Sequence, residues 1–166
     1  MSKEHENPDF PDEEYKRAVE KAMSLLLVQD RTEKALYERM CRAGFTQEQV
    51  AYAVAYVKGY GYVDDYRYAE NYLAYRKGTK SKKELSYKLL QKGVPQQILR
   101  EVLETYEHGE EQRALQNQLS KKLNGAKLSE MDFKEKEKIR AHLIRKGYGS
   151  SDVRQIMSET EQREHE

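Results

Sequence analysis

The feature that most constrains this chain is a repeat. Shifted by 49 residues against itself, the sequence places Gly44 on Gly93 without a gap, Thr32 on Ser81, Leu36 on Leu85 and Met40 on Leu89. Phe45 then meets Val94, Val50 meets Leu99, Ala53 meets Val102, Val54 meets Leu103 and Val57 meets Tyr106. A further shift of 54 carries Leu85 to Ile139, Leu89 to Leu143, Gly93 to Gly147 and Leu99 to Val153. The matched apolar positions step by three and four, the spacing of one helix face. The third copy has room for five extra residues, best placed around Asn124-Gly125. Fixed-period self-similarity of this kind marks modules that bury their apolar faces against one another.

Each copy reads as a helix, a stop and a second helix. Ser81-Lys82-Lys83-Glu84 and Asp132-Phe133-Lys134-Glu135 have capping-box form. The helices they open end at Arg42-Ala43-Gly44, Gln91-Lys92-Gly93 and Arg145-Lys146-Gly147. There a cation suits the helix dipole, and glycine can turn left-handed. Thr46, Pro95 and Ser150 or Ser151 then open the next helix. A preceding helix, over about 14–28, 65–77 and 109–124, completes each unit. The expectation is an all-α chain: an elongated tandem array of three three-helix repeats, at 14–61, 62–108 and 109–160. An acidic, disordered tail over 1–13 and a disordered end over 161–166 flank them. Val50–Val57 also alternates as a strand would, but its gapless match to Leu99–Tyr106 favours helix.

Thirteen tyrosines supplement a sparse aliphatic core, and 30 basic against 29 acidic residues leave little self-repulsion to oppose folding. No run approaches the roughly 18 apolar residues of a membrane span. The acidic N-terminus does not have the form of a signal peptide. The single cysteine, Cys41, fits a buried thiol in a reducing cytoplasm. Little points to an active site. His5, His108, His142 and His165 are dispersed, and no nucleophile elbow or metal-ligand spacing occurs. Gly59-Tyr60-Gly61 lacks a third glycine and a preceding strand, so it reads as a helix stop, with Asp64-Asp65 as an acidic cap for the following helix. No catalytic, cofactor or metal residue is assigned.

Binding is the better prospect. Arg76 to Lys92 holds seven basic residues against Glu84 alone, and Lys134 to Lys146 holds six against two; Met1–Glu14 and Glu101–Glu111 are acidic. Alternating stripes of this kind form either a solvated polar face or a surface for a charged partner. The candidate partner-binding residues are Arg76, Lys77, Lys80, Lys82, Lys83 and Lys88, with Tyr52 and Tyr56. The two tyrosines lie opposite Val50, Val54 and Val57, so they pack against the next unit or face a partner. The neutral overall charge disfavours strong autonomous binding to duplex DNA.

The string Gly61-Tyr62-Val63-Asp64-Asp65-Tyr66-Arg67-Tyr68-Ala69 resembles the GYLDDxxYA hallmark of the RecX family of bacterial recombinase regulators, with Val63 where Leu is common. Flanking segments Arg31–Leu36 and Lys80–Leu89, each leading to a stop glycine, agree, and the resemblance runs from about Tyr15 to Ser158. It implies a non-enzymatic modulator that binds the RecA–single-stranded DNA filament and restrains recombinase, ATPase and coprotease activities. The chain is further expected to be a cytoplasmic monomer without cofactors. A weak direct DNA contact accompanies that expectation. The competing reading is a helical-repeat module that binds nucleic acid without dependence on RecA.

Overall fold

A computed structural model describes residues 10–166. Among the described residues there are nine α-helices, one 3₁₀ turn and no strand. The helices are α1 (Glu13–Val28), α2 (Glu33–Arg42), α3 (Gln47–Gly59), α4 (Asp65–Tyr75), α5 (Lys82–Gln91), α6 (Gln96–Glu104), α7 (His108–Leu123), α8 (Phe133–Arg145) and α9 (Ser150–Glu164). The Val50–Val57 stretch is thus helical, with Val50, Ala53, Val54 and Val57 on its buried face. No helix among the described residues is long and apolar enough to cross a membrane.

The chain forms two compact units. The first comprises the described residues up to Tyr68 together with the turn Lys92–Pro95; the second comprises Ala69–Gln91 and Gln96–Glu166. In the first, α1 packs on α3 and α2 around Ala18, Ala22, Leu36, Met40, Val57 and Val63. In the second, α7, α8 and α9 close over Leu115, Leu119, Leu128, Leu143, Tyr148 and Val153, and α5 packs on α6.

The stop glycines behave alike. Gly44, Gly93 and Gly147 have φ of +96°, +96° and +100°, the left-handed conformation that closes a helix C-terminus. The Asp132–Glu135 capping box forms with both of its hydrogen bonds, and Thr46 makes another with Gln49. The five extra residues of the third repeat are taken up by Asn124 (φ +47°), Gly125 (φ +86°) and the 3₁₀ turn Leu128–Glu130, whose Leu128 is fully buried.

Three expectations need correction, and a fourth lies mostly outside the described residues. The Ser81 hydroxyl accepts from the Glu84 amide at 3.1 Å, but the Glu84 carboxylate pairs with the Lys80 ammonium at 2.9 Å. The helix expected to run to 77 stops at Tyr75, and Arg76–Thr79 is a turn with Gly78 at φ +70°. Residues 1–9 of the expected N-terminal tail lie outside the described residues; of the rest, Phe10 meets the Tyr52 and Tyr56 rings and Asp12 caps α1. At the other end α9 continues to Glu164, because Glu161 pairs with Lys136 and the Glu164 carboxylate accepts from the Leu128 and Ser129 amides at 2.9 and 2.7 Å.

One arrangement occurs twice. In the first unit Thr32, at the N-cap of α2, accepts from the Ala35 amide and donates its hydroxyl to the Lys92 carbonyl at 2.5 Å. The neighbouring Glu33 amide donates to Asp65 at 2.8 Å, and Gly93 sits against Lys34 so closely that a Cβ would lie 2.7 Å from that side chain. In the second unit Ser81 accepts from the Glu84 amide and donates to the Lys146 carbonyl at 2.6 Å. Here the Lys82 amide donates to Glu111 at 2.9 Å, and a Cβ on Gly147 would lie 2.6 Å from the Ser81 Oγ. Hydroxyl, carbonyl, carboxylate and glycine thus recur as one latch.

Candidate functional site

The latch explains the hallmark string. Gly61 adopts φ +75° after α3, and Val63 and Ala69 are buried. Asp64 caps α4 by accepting from the Arg67 amide at 3.0 Å, while the Arg67 guanidinium donates to the carbonyls of Gly61 and Tyr62. Asp65 is not the second cap expected of it. It is 9% exposed and serves α2 through the Glu33 amide. Burial is the main cause that lifts its carboxyl above the ordinary range, against the stabilising bond from Glu33 and the Lys58 charge. The two adjacent aspartates therefore belong to two different helices' caps.

The six predicted cations do not form one cluster. The turn that carries Arg76 to Lys80 is tied down by α7: Asn117 Nδ2 donates to the Gly78 carbonyl at 2.9 Å and Gln118 Nε2 to the Thr79 carbonyl at 3.1 Å. The Arg76 guanidinium lies 3.7 Å from the centre of the Tyr72 ring, a cation–π contact, and Lys80 is engaged by Glu84. Lys77 lines a recess shared with Glu70, Glu107 and Glu110, an acidic setting. Lys82 and Lys88 are half-buried, and Lys83 is exposed.

Lys83 instead joins a cleft between α5 and α8. Its walls include Lys83 and Tyr87 on one side and His142, Arg145 and Lys146 on the other, flanking an open groove of about 460 Å³. A second cleft of about 570 Å³ shares His142 and Arg145 and adds Lys122, Lys134 and Lys138. The acids here are engaged elsewhere: Glu84 with Lys80, and Glu137 with Arg140 at 3.2 Å. The field is accordingly positive. Burial first, then the charges of Lys122, Lys146 and Arg145, hold the His142 imidazole below the ordinary histidine range. Both basic runs noted in the sequence thus contribute to one surface of the second unit. The signal for α8's share was legible: Lys134, Lys138, His142 and Lys146 recur every four residues, one stripe of a helix.

Tyr52 and Tyr56 find partners in their own unit. Tyr15 meets Tyr52 edge-on at 5.1 Å, Phe10 lies 5.5 Å from Tyr56, and Tyr60 lies 5.0 Å from Tyr56. The row continues to Tyr62 at 6.2 Å from Tyr60, where Tyr60 is 65% exposed. The hydrogen bond with Tyr60 is the main cause that raises the Tyr56 hydroxyl above its usual range. The N-terminal segment and α1 therefore take the place expected of a neighbouring repeat. Cys41 is half-buried, not the fully buried thiol expected. Among the described residues, no group of three or more His, Cys, Asp or Glu side chains is arranged to hold a metal ion.

Comparison with known proteins bears on both units. A family model described as "RecX, second three-helix domain" matches residues 64–103, and "RecX, third three-helix domain" matches 110–157; together they take in more than half of the chain. The chain is 28% identical over 151 residues to the regulatory protein RecX of Clostridium acetobutylicum, covering 89% of this chain and 71% of that protein. It is 29% identical to the one from Caldanaerobacter subterraneus subsp. tengcongensis, over 89% of this chain and 72% of the relative. Against other clostridial relatives it spans less of their length, 61% for Clostridium botulinum strain Eklund 17B and 56% for Clostridium perfringens. The crystal structure of RecX from Lactobacillus salivarius has the same fold, with a TM-score of 0.78 at 20% identity over 89% of this chain and 97% of that one. With the three-helix domains, the hallmark string and the fold in agreement, this chain belongs to the RecX family.

Proposed function

We propose that this chain is a regulator of RecA: it binds the RecA–single-stranded DNA filament and lowers its recombinase, ATPase and coprotease activities. The observation that carries this reading is the match of residues 64–103 and 110–157 to the second and third RecX domains. Relatives named regulatory proteins support a binding role over a catalytic one. The protein works as a monomer in the cytoplasm, through three three-helix repeats at 14–61, 62–108 and 109–160. Weak contacts made at several points act together only on an assembled polymer, so avidity favours the filament over free RecA. Each unit makes its own contact: the second through Lys83 of the Arg76–Lys88 run, and the first through the Tyr52–Tyr56 row, whose exposed end at Tyr60 and Tyr62 has the character of an interface anchor.

The test is a titration of this protein into RecA hydrolysing ATP on single-stranded DNA. Hydrolysis should fall in a saturable manner as the protein is added. An unchanged rate up to stoichiometric amounts would refute the reading.

A further inference from the structure

We propose that the cleft between α5 and α8 is a site for the phosphodiester backbone of a single nucleic-acid strand, with one base stacked on Tyr87. This deepens the preceding reading by assigning the cleft to the DNA component of the filament, and it can be tested with no RecA present.

Three observations converge. The first is charge that no acid in the cleft answers: Lys83, Arg145 and Lys146 line one cleft beside an uncharged His142, and Lys134 and Lys138 extend it. Of the carboxylates at its walls, Glu84 is held by Lys80 and Glu137 by Arg140. Phosphate neutralisation supplies most of the affinity in nucleic-acid binding.

The second is spacing. The α8 stripe at 134, 138, 142 and 146 advances about 6 Å per step. That is on the order of the separation between neighbouring phosphates of an extended strand.

The third is Tyr87. Tyr87 is 62% exposed at the cleft wall, and its hydroxyl accepts from the Gln91 side chain at 2.9 Å, which fixes the outer edge of the ring. A positively charged groove flanked by an aromatic face is the usual arrangement for strands bound without sequence preference.

The experiment measures fluorescence anisotropy of a labelled oligothymidylate titrated with the full chain at several salt concentrations. Four phosphate contacts predict a log–log slope of affinity on salt near −3, from ~0.7 per phosphate on a single strand. Lys83→Gln with Arg145→Gln, both at exposed positions, should lower affinity about tenfold and flatten that slope by ~1.4. Tyr87→Ala should lower affinity about fivefold and leave the slope unchanged, since stacking is not ionic. Far-UV circular dichroism checks that both variants keep their helices.

No binding by the unaltered chain, or variants that bind as well as it does, would overturn the proposal. So would poly-glutamate displacing the oligonucleotide at equal charge, which would assign the cleft to an acidic protein. If oligothymidylate fails to bind while RecA hydrolysis still falls, only this inference is lost. If it binds as described while RecA is unaffected, the site stands and the regulatory reading falls.

Discussion

Replacing Ser81 with alanine tests the latch most sharply. The hydroxyl is fully buried, accepts from the Glu84 amide at 3.1 Å and donates to the Lys146 carbonyl at 2.6 Å. Loss of an N-cap costs about 1 kcal/mol. Loss of the donation to a carbonyl that remains partly shielded adds about 1–2 kcal/mol. Ser81→Ala should therefore cost about 2–3 kcal/mol, or roughly 5–10 °C in Tm for a chain of this size. Thr46→Ala is the control. Thr46 caps α3 in a capping box, is exposed and makes no such long-range bond, so its removal should cost only about 1 kcal/mol. Thermal and urea melts followed by far-UV circular dichroism compare the two, with Thr32→Ala expected to behave like Ser81→Ala. If Ser81→Ala costs no more than Thr46→Ala, the hydroxyl is an ordinary cap and the latch is not a stabilising device.

Gly147→Ala should be far more damaging than Gly44→Ala: both pay about 1–2 kcal/mol for a left-handed residue, but only at Gly147 does the new Cβ meet Ser81 Oγ, at 2.6 Å, and paired melts separate the two. Asp65→Asn should be at least as stable as the unaltered chain at pH 7, because it keeps an acceptor for Glu33 and removes a charge that burial opposes, whereas Asp65→Ala should lose about 1–2 kcal/mol. The sign follows from a folded-state pKa raised above the unfolded one: the native chain binds more protons in that window, its stability falls as pH rises through it, and the advantage of Asn over Asp should grow over the same range. For His142 the folded pKa is depressed, so the unfolded chain binds more protons as pH falls through the ordinary histidine range, and that loss of stability should be absent from His142→Gln in urea melts at pH 5 and 8.

What the sequence reveals of this protein follows from the range over which each signal acts. Helix termini are local: the glycines at 44, 93 and 147 announce their left-handed turns through residue type alone. The alternation in Val50–Val57 is locally ambiguous, and its gapless match to Leu99–Tyr106 is what resolves it as the helix α3 forms. The Thr32–Ser81 match likewise identifies both residues as caps. Their second hydrogen bonds join residues 60 and 65 positions apart, and no local pattern encodes the partner. Asp65 misleads for the same reason: beside Asp64 it looks like a second cap for α4, yet its acceptor serves a helix 32 residues earlier. Among the candidate site residues, sequence proximity grouped Lys77 with Lys83, although one lines an acidic recess and the other a basic cleft. The α8 stripe was visible as a run of charge, and only packing against α5 turns that run into a wall of the cleft.

The regulatory account is tested most directly by sedimentation. RecA filaments assembled on single-stranded DNA are pelleted in the presence of this protein, beside free RecA and DNA alone at the same salt. The account predicts recovery of this chain with the filaments, at a ratio that saturates, and little with free RecA. Its retention in the supernatant with assembled filaments would contradict the account.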